Sequence, residues 1–282
     1  MNVRTALLQG TELLKEGDIL APRLTAEVLL AHAMRREREW FFGHPEEELP
    51  EVAWIHYGRY LHERLQGKPT QYITHRQEFY GREFRVTTDV LIPRPETEHV
   101  VEAALARLRP NDMVVDVGCG SGAIAITLAL ERASRVLATP GPVFATDVSL
   151  PALSVAAENA KRLHARVGLV ACDLLSAFPD TSIDLVVSNP PYIALRDADS
   201  LQREVRGWEP PLALFGGEDG LDVCRRLVEN AGRVLRPAGG LILEVAYNAT
   251  EAMQRMLADW ANVEVHCDLA GLPRVVTAER LR

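Results

Sequence analysis

An α/β fold, with helices on both faces of a mostly parallel seven-stranded sheet and a small helical domain ahead of it, is predicted by three features of this 282-residue chain. From about Thr97 onward, short apolar runs rich in β-branched residues alternate with amphipathic stretches, the rhythm of strand and crossover helix. The last two of these runs are separated by a turn alone, so they pair as an antiparallel hairpin at one edge. Before residue 70 the apolar residues recur at helical spacing instead.

In chain order, Leu7, Leu8 and Leu14 mark a first helix, Leu24, Val28 and Leu29 after Pro22 a second, and Trp54, Ile55, Tyr57, Leu61 and Leu65 a third. Gly17-Asp18 and Gly43-His44-Pro45 break them apart. Residues 1–70 therefore read as a helical domain, with Arg35 to Glu39 as a solvated charged face. Residues 71–95 read as a linker, because Glu78–Tyr80 and Glu83–Val86 flank Gly81-Arg82 as the arms of a hairpin. Pro95 followed by Glu96 and Glu98 opens a helix by geometry and by dipole. In the domain 96–282, strands are expected at Met113–Val117, Val143–Thr146, Val167–Ala171, Ile183–Ser188, Gly240–Glu244, Val263–His266 and Val275–Ala278. Leu153, Ala156, Ala157, Ala160 and Leu163 form the buried stripe of one intervening helix.

Composition removes several function classes. No apolar run approaches the roughly 20 residues that cross a bilayer, and the amino terminus lacks a signal-peptide core, so a cytoplasmic protein without a membrane partner is expected. The formal charge of −8 argues against a chain that coats nucleic acid by neutralising phosphates. Cys119, Cys172, Cys224 and Cys267 have no paired spacing, and the eight histidines are scattered, so free thiols and no metal site are expected.

The chemistry concentrates in Ser188-Asn189-Pro190-Pro191-Tyr192, which follows the apolar run Ile183–Val187. A strand there delivers Asn189 to the carboxyl edge of the sheet, where open α/β sheets keep reactive groups. Two prolines supply no N–H and press Asn189 into an extended conformation. The Asn189 side-chain oxygen and the Pro190 carbonyl can then accept both hydrogens of a planar –NH₂ group, with the Tyr192 ring against its face. Asp116-Val117-Gly118-Cys119-Gly120-Ser121-Gly122 closes the first strand of the sheet and opens a helix, a turn that lets a ligand approach the backbone. Glycine spacing alone also suits a dinucleotide. Asp147 at the end of the second strand can accept from ribose hydroxyls, and Asp173 with Leu174 at the end of the third can take an adenine. No Gly-Lys-Ser/Thr anchor for phosphates exists, so the set fits the phosphate-free adenosine of S-adenosylmethionine, with its sulfonium facing Asn189.

These elements resemble the release-factor glutamine methyltransferases, the PrmC/HemK family, and more distantly the amino-directed N6-adenine methyltransferases. The resemblance covers nearly the whole chain: Pro69–Ile73, Glu78–Gly81, Leu91–Glu98, Asp116–Gly122, Asn189–Tyr192, Trp208-Glu209-Pro210 and Gly216–Leu221. Ile92–Glu98 is its specific part, because the adenine methyltransferases lack it. It implies a Rossmann-like methyltransferase sheet that takes S-adenosylmethionine, and methyl transfer to N5 of the glutamine in the Gly-Gly-Gln loop of peptide chain release factors. It further implies that Gly118 to Gly122, Asp147 and Leu174 bind the cofactor, that Asn189 to Tyr192 hold the glutamine, and that the helical domain recognises the substrate. Departures are Cys119 and Leu174, where members often carry Thr and Trp, and Thr139–Pro142, which lengthens the approach to the second strand. Arg94, Glu96 and Glu209 are candidates for the substrate entrance. The expected form is a monomer. The alternatives are an adenine N6-methyltransferase acting on DNA or RNA and a non-catalytic adaptor that kept the fold.

Overall fold

The computed structural model describes residues 1–135 and 140–281. Of the Thr139–Pro142 stretch, Thr139 lies outside the described residues. The chain divides into two compact units, one of Met1–Arg76 with Gln202–Trp208, the other of Gln77–Leu201 with Glu209 onward.

In the first unit, helices Val3–Glu16, Pro22–Met34 and Glu51–Leu65 pack their apolar stripes together around Leu7, Leu14, Leu29, Leu30, Tyr57 and Leu61. Asn2 caps the first helix by accepting the Thr5 N–H at 3.0 Å, and Pro22 occupies the first turn of the second. The distant segment Arg203–Trp208 joins this unit through an ion pair from buried Arg64 to Glu204 and through Lys68, whose ammonium sits 5.8 Å from the Trp208 ring centroid. Periodicity in the first 70 residues carries no sign of that partner.

The second unit holds a seven-stranded sheet, ordered edge to edge as Gly168–Ala171, Val143–Asp147, Val114–Val117, Ile183–Ser188, Leu235–Glu244, Pro273–Glu279 and Ala261–Cys267. Its strands are β3 (Val114–Val117), β4 (Val143–Asp147), β5 (Gly168–Ala171), β6 (Ile183–Ser188), β7 (Leu235–Glu244), β8 (Ala261–Cys267) and β9 (Pro273–Glu279). β3 to β7 run parallel, while β9 is antiparallel to both neighbours, so the final hairpin closes one edge as its helix-free connection predicts. β7 begins at Leu235 rather than Gly240, because Arg236-Pro237-Ala238-Gly239 interrupts the apolar pattern with a register shift against β6. Alternation along the strands feeds two cores. Val114, Ala145, Leu185 and Ile242 face helices Glu98–Arg107, Ala123–Arg135 and Leu150–Arg162, and Val115, Val186, Leu241 and Leu243 face helix Asp222–Val234.

Ahead of the sheet, β1 (Arg76–Phe79) and β2 (Arg82–Arg85) form a two-stranded ribbon. Tyr80 and Gly81 both have positive φ, the backbone that two-residue hairpin turns require. Phe79 and Phe84 meet edge to face at 6.0 Å and are fully buried. Phe84→Ala is expected to lower the unfolding free energy by about 3–5 kcal/mol, read from denaturant midpoints at constant slope. No helix among the described residues is long and apolar enough to cross a membrane.

Candidate active site

The strand order reverses between β3 and β6, and an open α/β sheet leaves a crevice beyond the carboxyl ends of the strands at such a point. Val117 pairs with Ser188, so the next residues on the two strands are Gly118 and Asn189. The Ser188 hydroxyl donates to the Val117 carbonyl at 2.7 Å and fixes the two strand ends side by side. A cavity of about 200 Å³ opens there, lined in part by Gly118, Gly120, Asp147, Asp173, Leu174, Asn189 and Pro191.

Gly118 and Gly120 both have positive φ, and a Cβ built on either would meet no atom within 4 Å. The turn therefore presents bare backbone to open space. Cys119, Ser121 and Gly122 do not line the cavity: Cys119 and Ser121 are buried, and Gly122 packs on Ile126 and Ala156. Burial, with Asp116 and Asp147 nearby, pushes the Cys119 thiol up and keeps it protonated. Asn159, fully buried, holds the turn from helix Leu150–Arg162 by donating to the Ser121 carbonyl at 3.0 Å.

Asp147 is committed on both oxygens. One accepts the Gly120 N–H at 2.9 Å and the other the Ser149 N–H at 2.9 Å, which leaves further lone pairs on each. Asp173 is half exposed and paired with the Arg226 guanidinium. Leu174 has a left-handed backbone, φ 50°, and its carbonyl accepts from the Thr146 hydroxyl at 3.0 Å. Arg226 is the one cation lining the cavity among the described residues, and it is spent on Asp173. A ligand bearing phosphates would find no free positive charge in this lining.

The Asn-Pro-Pro-Tyr segment turns one end of its asparagine away from the cavity. Asn189 Nδ2 donates to Thr97 Oγ1 at 3.1 Å, Thr97 Oγ1 donates to Glu244 Oε2 at 2.6 Å, and the Tyr192 hydroxyl donates to Glu244 Oε1 at 3.3 Å. Among the described residues nothing donates to Asn189 Oδ1. Pro190 is buried, Pro191 lines the cavity, and Pro190 and Tyr192 do not line it. Burial, together with the Glu244 carboxylate, raises the Tyr192 phenol well above its usual value.

Sequence reasoning missed Glu244, although a signal exists. A carboxylate closes the otherwise apolar Leu241-Ile242-Leu243 at the same sheet edge as Asp147 and Asn189. Of the entrance candidates, Arg94 pairs with buried Glu209 at 2.5 Å, and Glu96 lies 4.0 Å from Arg274.

Two buried carboxyls titrate far from the usual range. Burial raises Glu244 to about 7 against the hydrogen bonds from Thr97 and Tyr192, and raises Asp116 to about 7 against the Ala125 N–H. Each binds its proton more readily folded than unfolded, so each adds to unfolding free energy as pH falls from above 7 toward the ordinary carboxylate range. Wild type is therefore expected to gain denaturant resistance relative to Glu244→Gln between about pH 8 and about pH 6. A difference that stays constant would assign Glu244 an ordinary titration.

Two family models match separate stretches of the chain. Residues 5–74 match the family model of the PrmC N-terminal domain, and residues 97–205 that of the methyltransferase small domain. A solved methyltransferase from Pyrococcus furiosus superposes with a TM-score of 0.52 at 16% identity, covering 72% of this chain and 91% of the other, which reflects the shared fold. Release factor glutamine methyltransferases from Koribacter versatilis and Moorella thermoacetica are each 42% identical to this chain, with 99% of both partners covered in each case. The protein of that name from Bacillus cereus is 37% identical, again over 99% of both. With such identity sustained from end to end, the chain belongs to the release factor glutamine methyltransferase family.

Proposed function

We propose that this protein transfers a methyl group from S-adenosylmethionine to the side-chain nitrogen N5 of the Gly-Gly-Gln glutamine in peptide chain release factors. The observation that carries the reading is the free Asn189 Oδ1 at the switch point, beside a glycine turn and a cavity without spare positive charge.

The residues present fit the cofactor. Gly118 and Gly120 leave space where side chains would stand, Asp147 keeps lone pairs for ribose hydroxyls, and Leu174 with Val148 and Leu212 offers apolar surface for a base. When bound, S-adenosylmethionine supplies a methyl group already activated by the positive charge on its sulfur.

The chain's own task is position. A carboxamide nitrogen is a poor nucleophile because its lone pair is delocalised into the carbonyl. Asn189 Oδ1 and the Pro190 carbonyl accept its two hydrogens, orient the nitrogen toward the cavity and favour the partly pyramidal geometry of the transition state. Pro191, which lines the cavity, covers the amide plane and keeps water out. No general base is needed beside the nitrogen, since an amide that has gained a methyl group readily releases its extra proton to solvent. Arg94, paired with buried Glu209, and Glu96 are candidates for the substrate entrance in this reading.

The same reading has a monomer acting in the cytoplasm without direct nucleic-acid or membrane contact, supported by the charge of −8. Tritiated S-adenosylmethionine offered with a purified bacterial release factor, with DNA, and with neither tests it. Label in the release factor alone is expected. Label in DNA would favour the adenine methyltransferase, whose target base must leave the stack to reach the grip, and label in neither would favour an adaptor.

A further inference from the structure

The amide grip has a direction, because an asparagine side chain offers oxygen at one end and –NH₂ at the other. Only the oxygen end can accept substrate hydrogens, and the –NH₂ end would oppose them. Something must therefore choose which end faces the cavity.

Three hydrogen bonds make that choice. An ionised carboxylate only accepts, so Thr97 Oγ1, 2.6 Å from Glu244 Oε2, must donate its single proton there. Having spent that proton, the hydroxyl can only accept from the group 3.1 Å away, which must then be Asn189 Nδ2. The placement of Thr97 supports the assignment. It ends the 3-10 turn Pro95–Thr97 that leads directly into helix Glu98–Arg107, and with helical backbone (φ −65°, ψ −19°) its side chain caps nothing, so the hydroxyl is left for Glu244 and Asn189. Thr97 and Glu244 are 4% and 2% exposed, so water does not substitute for either partner. The other Glu244 oxygen accepts from the Tyr192 hydroxyl, so one carboxylate anchors both ends of the Asn-Pro-Pro-Tyr segment.

Resting on the methyl-transfer reading above, we infer that Thr97 and Glu244 are positioning residues that lock Asn189 with its amide oxygen toward the substrate. Charged and titratable neighbours of Glu244 are Tyr192, Glu96 and Arg274, and Arg274 is itself paired with Asp268 at 2.8 Å. A proton on Glu244 removes the reason for the order. The carboxyl can then donate to Thr97, Thr97 can donate to Asn189, and the amide is free to turn its –NH₂ toward the cavity. The raised Glu244 titration places that change near neutral pH, so turnover should fall on the acid side as the carboxyl protonates.

The test measures kcat on a purified release factor with tritiated S-adenosylmethionine, and cofactor affinity by calorimetry, for Thr97→Val, Thr97→Ser, Glu244→Gln and Asn189→Ala. Thr97→Val is expected to lose about 30- to 100-fold in kcat at unchanged cofactor affinity, the scale of a misplaced reacting group. Thr97→Ser should recover most of that loss, and Glu244→Gln should be slow and lack the acid limb of the wild-type pH profile. A Thr97→Val enzyme within about threefold of wild type, a Thr97→Ser enzyme no faster than Thr97→Val, or an unaltered acid limb in Glu244→Gln would each overturn the inference. The alanine variant separates the layers. If Asn189→Ala is inactive while Thr97→Val is active, only the positioning role fails, whereas an active Asn189→Ala removes the grip itself.

Discussion

Asn189→Ala is expected to lower turnover on a release factor by about 10²–10³-fold, the usual cost of removing one preorganised hydrogen-bond partner from a reacting group. Cofactor affinity should change little. Asn189 shares the cavity rim with Gly118, Gly120 and Asp147, but those three supply the backbone and carboxylate contacts expected to hold the nucleoside. The fold should survive as well. Its Nδ2 bond to Thr97 is one neutral hydrogen bond worth about 1 kcal/mol, and Thr97 keeps its stronger contact to Glu244 after the substitution. A variant that binds cofactor, melts close to wild type and fails to transfer methyl locates the loss in the grip. Near-normal turnover by that variant would remove Asn189 from the mechanism.

The second large effect falls on affinity. Asp147→Ala is expected to weaken S-adenosylmethionine binding by about 10- to 100-fold, from hydrogen bonds to a charged group worth roughly 1.5–3 kcal/mol. Two losses combine. The carboxylate no longer receives ribose hydroxyls, and the Gly120 and Ser149 N–H groups lose the acceptors that shape the glycine turn and the start of helix Leu150–Arg162. Asp147→Asn separates the two, since its amide oxygen can keep one of the N–H contacts while halving the acceptor capacity toward the ribose. Titration calorimetry reads both variants, and an unchanged affinity in Asp147→Ala would leave Asp147 with a purely structural role.

The parallel sheet and its edge hairpin were legible because hydrophobic period and connection length are local properties of a chain. So were the glycine turn, Asp147 and the Asn-Pro-Pro-Tyr segment, each at the end of an apolar run. What sequence could not supply was reach between distant residues. Asn189 and Glu244 lie 92 and 147 positions beyond Thr97, and only the folded sheet brings the three into one chain of hydrogen bonds. Thr97 alone reads as one residue of the helix start that Pro95 opens, and Glu244 alone as the last residue of a strand. The same limit applies to Arg203–Trp208, whose association with Arg64 and Lys68 leaves no periodic trace. For Asp173 the sequence suggests an open acceptor, and the ion pair with Arg226 is a contact that spacing does not reveal.

The central claim is that the Asn189 oxygen and the Pro190 carbonyl together hold the substrate carboxamide. It is tested most directly by a structure of this protein bound to S-adenosylhomocysteine and a release factor. The account predicts the glutamine nitrogen at hydrogen-bond distance, about 2.9 Å, from both Asn189 Oδ1 and the Pro190 oxygen, with Asn189 Nδ2 still on Thr97. A glutamine nitrogen placed elsewhere in the cavity, or Asn189 turned with its –NH₂ toward the substrate, would contradict it.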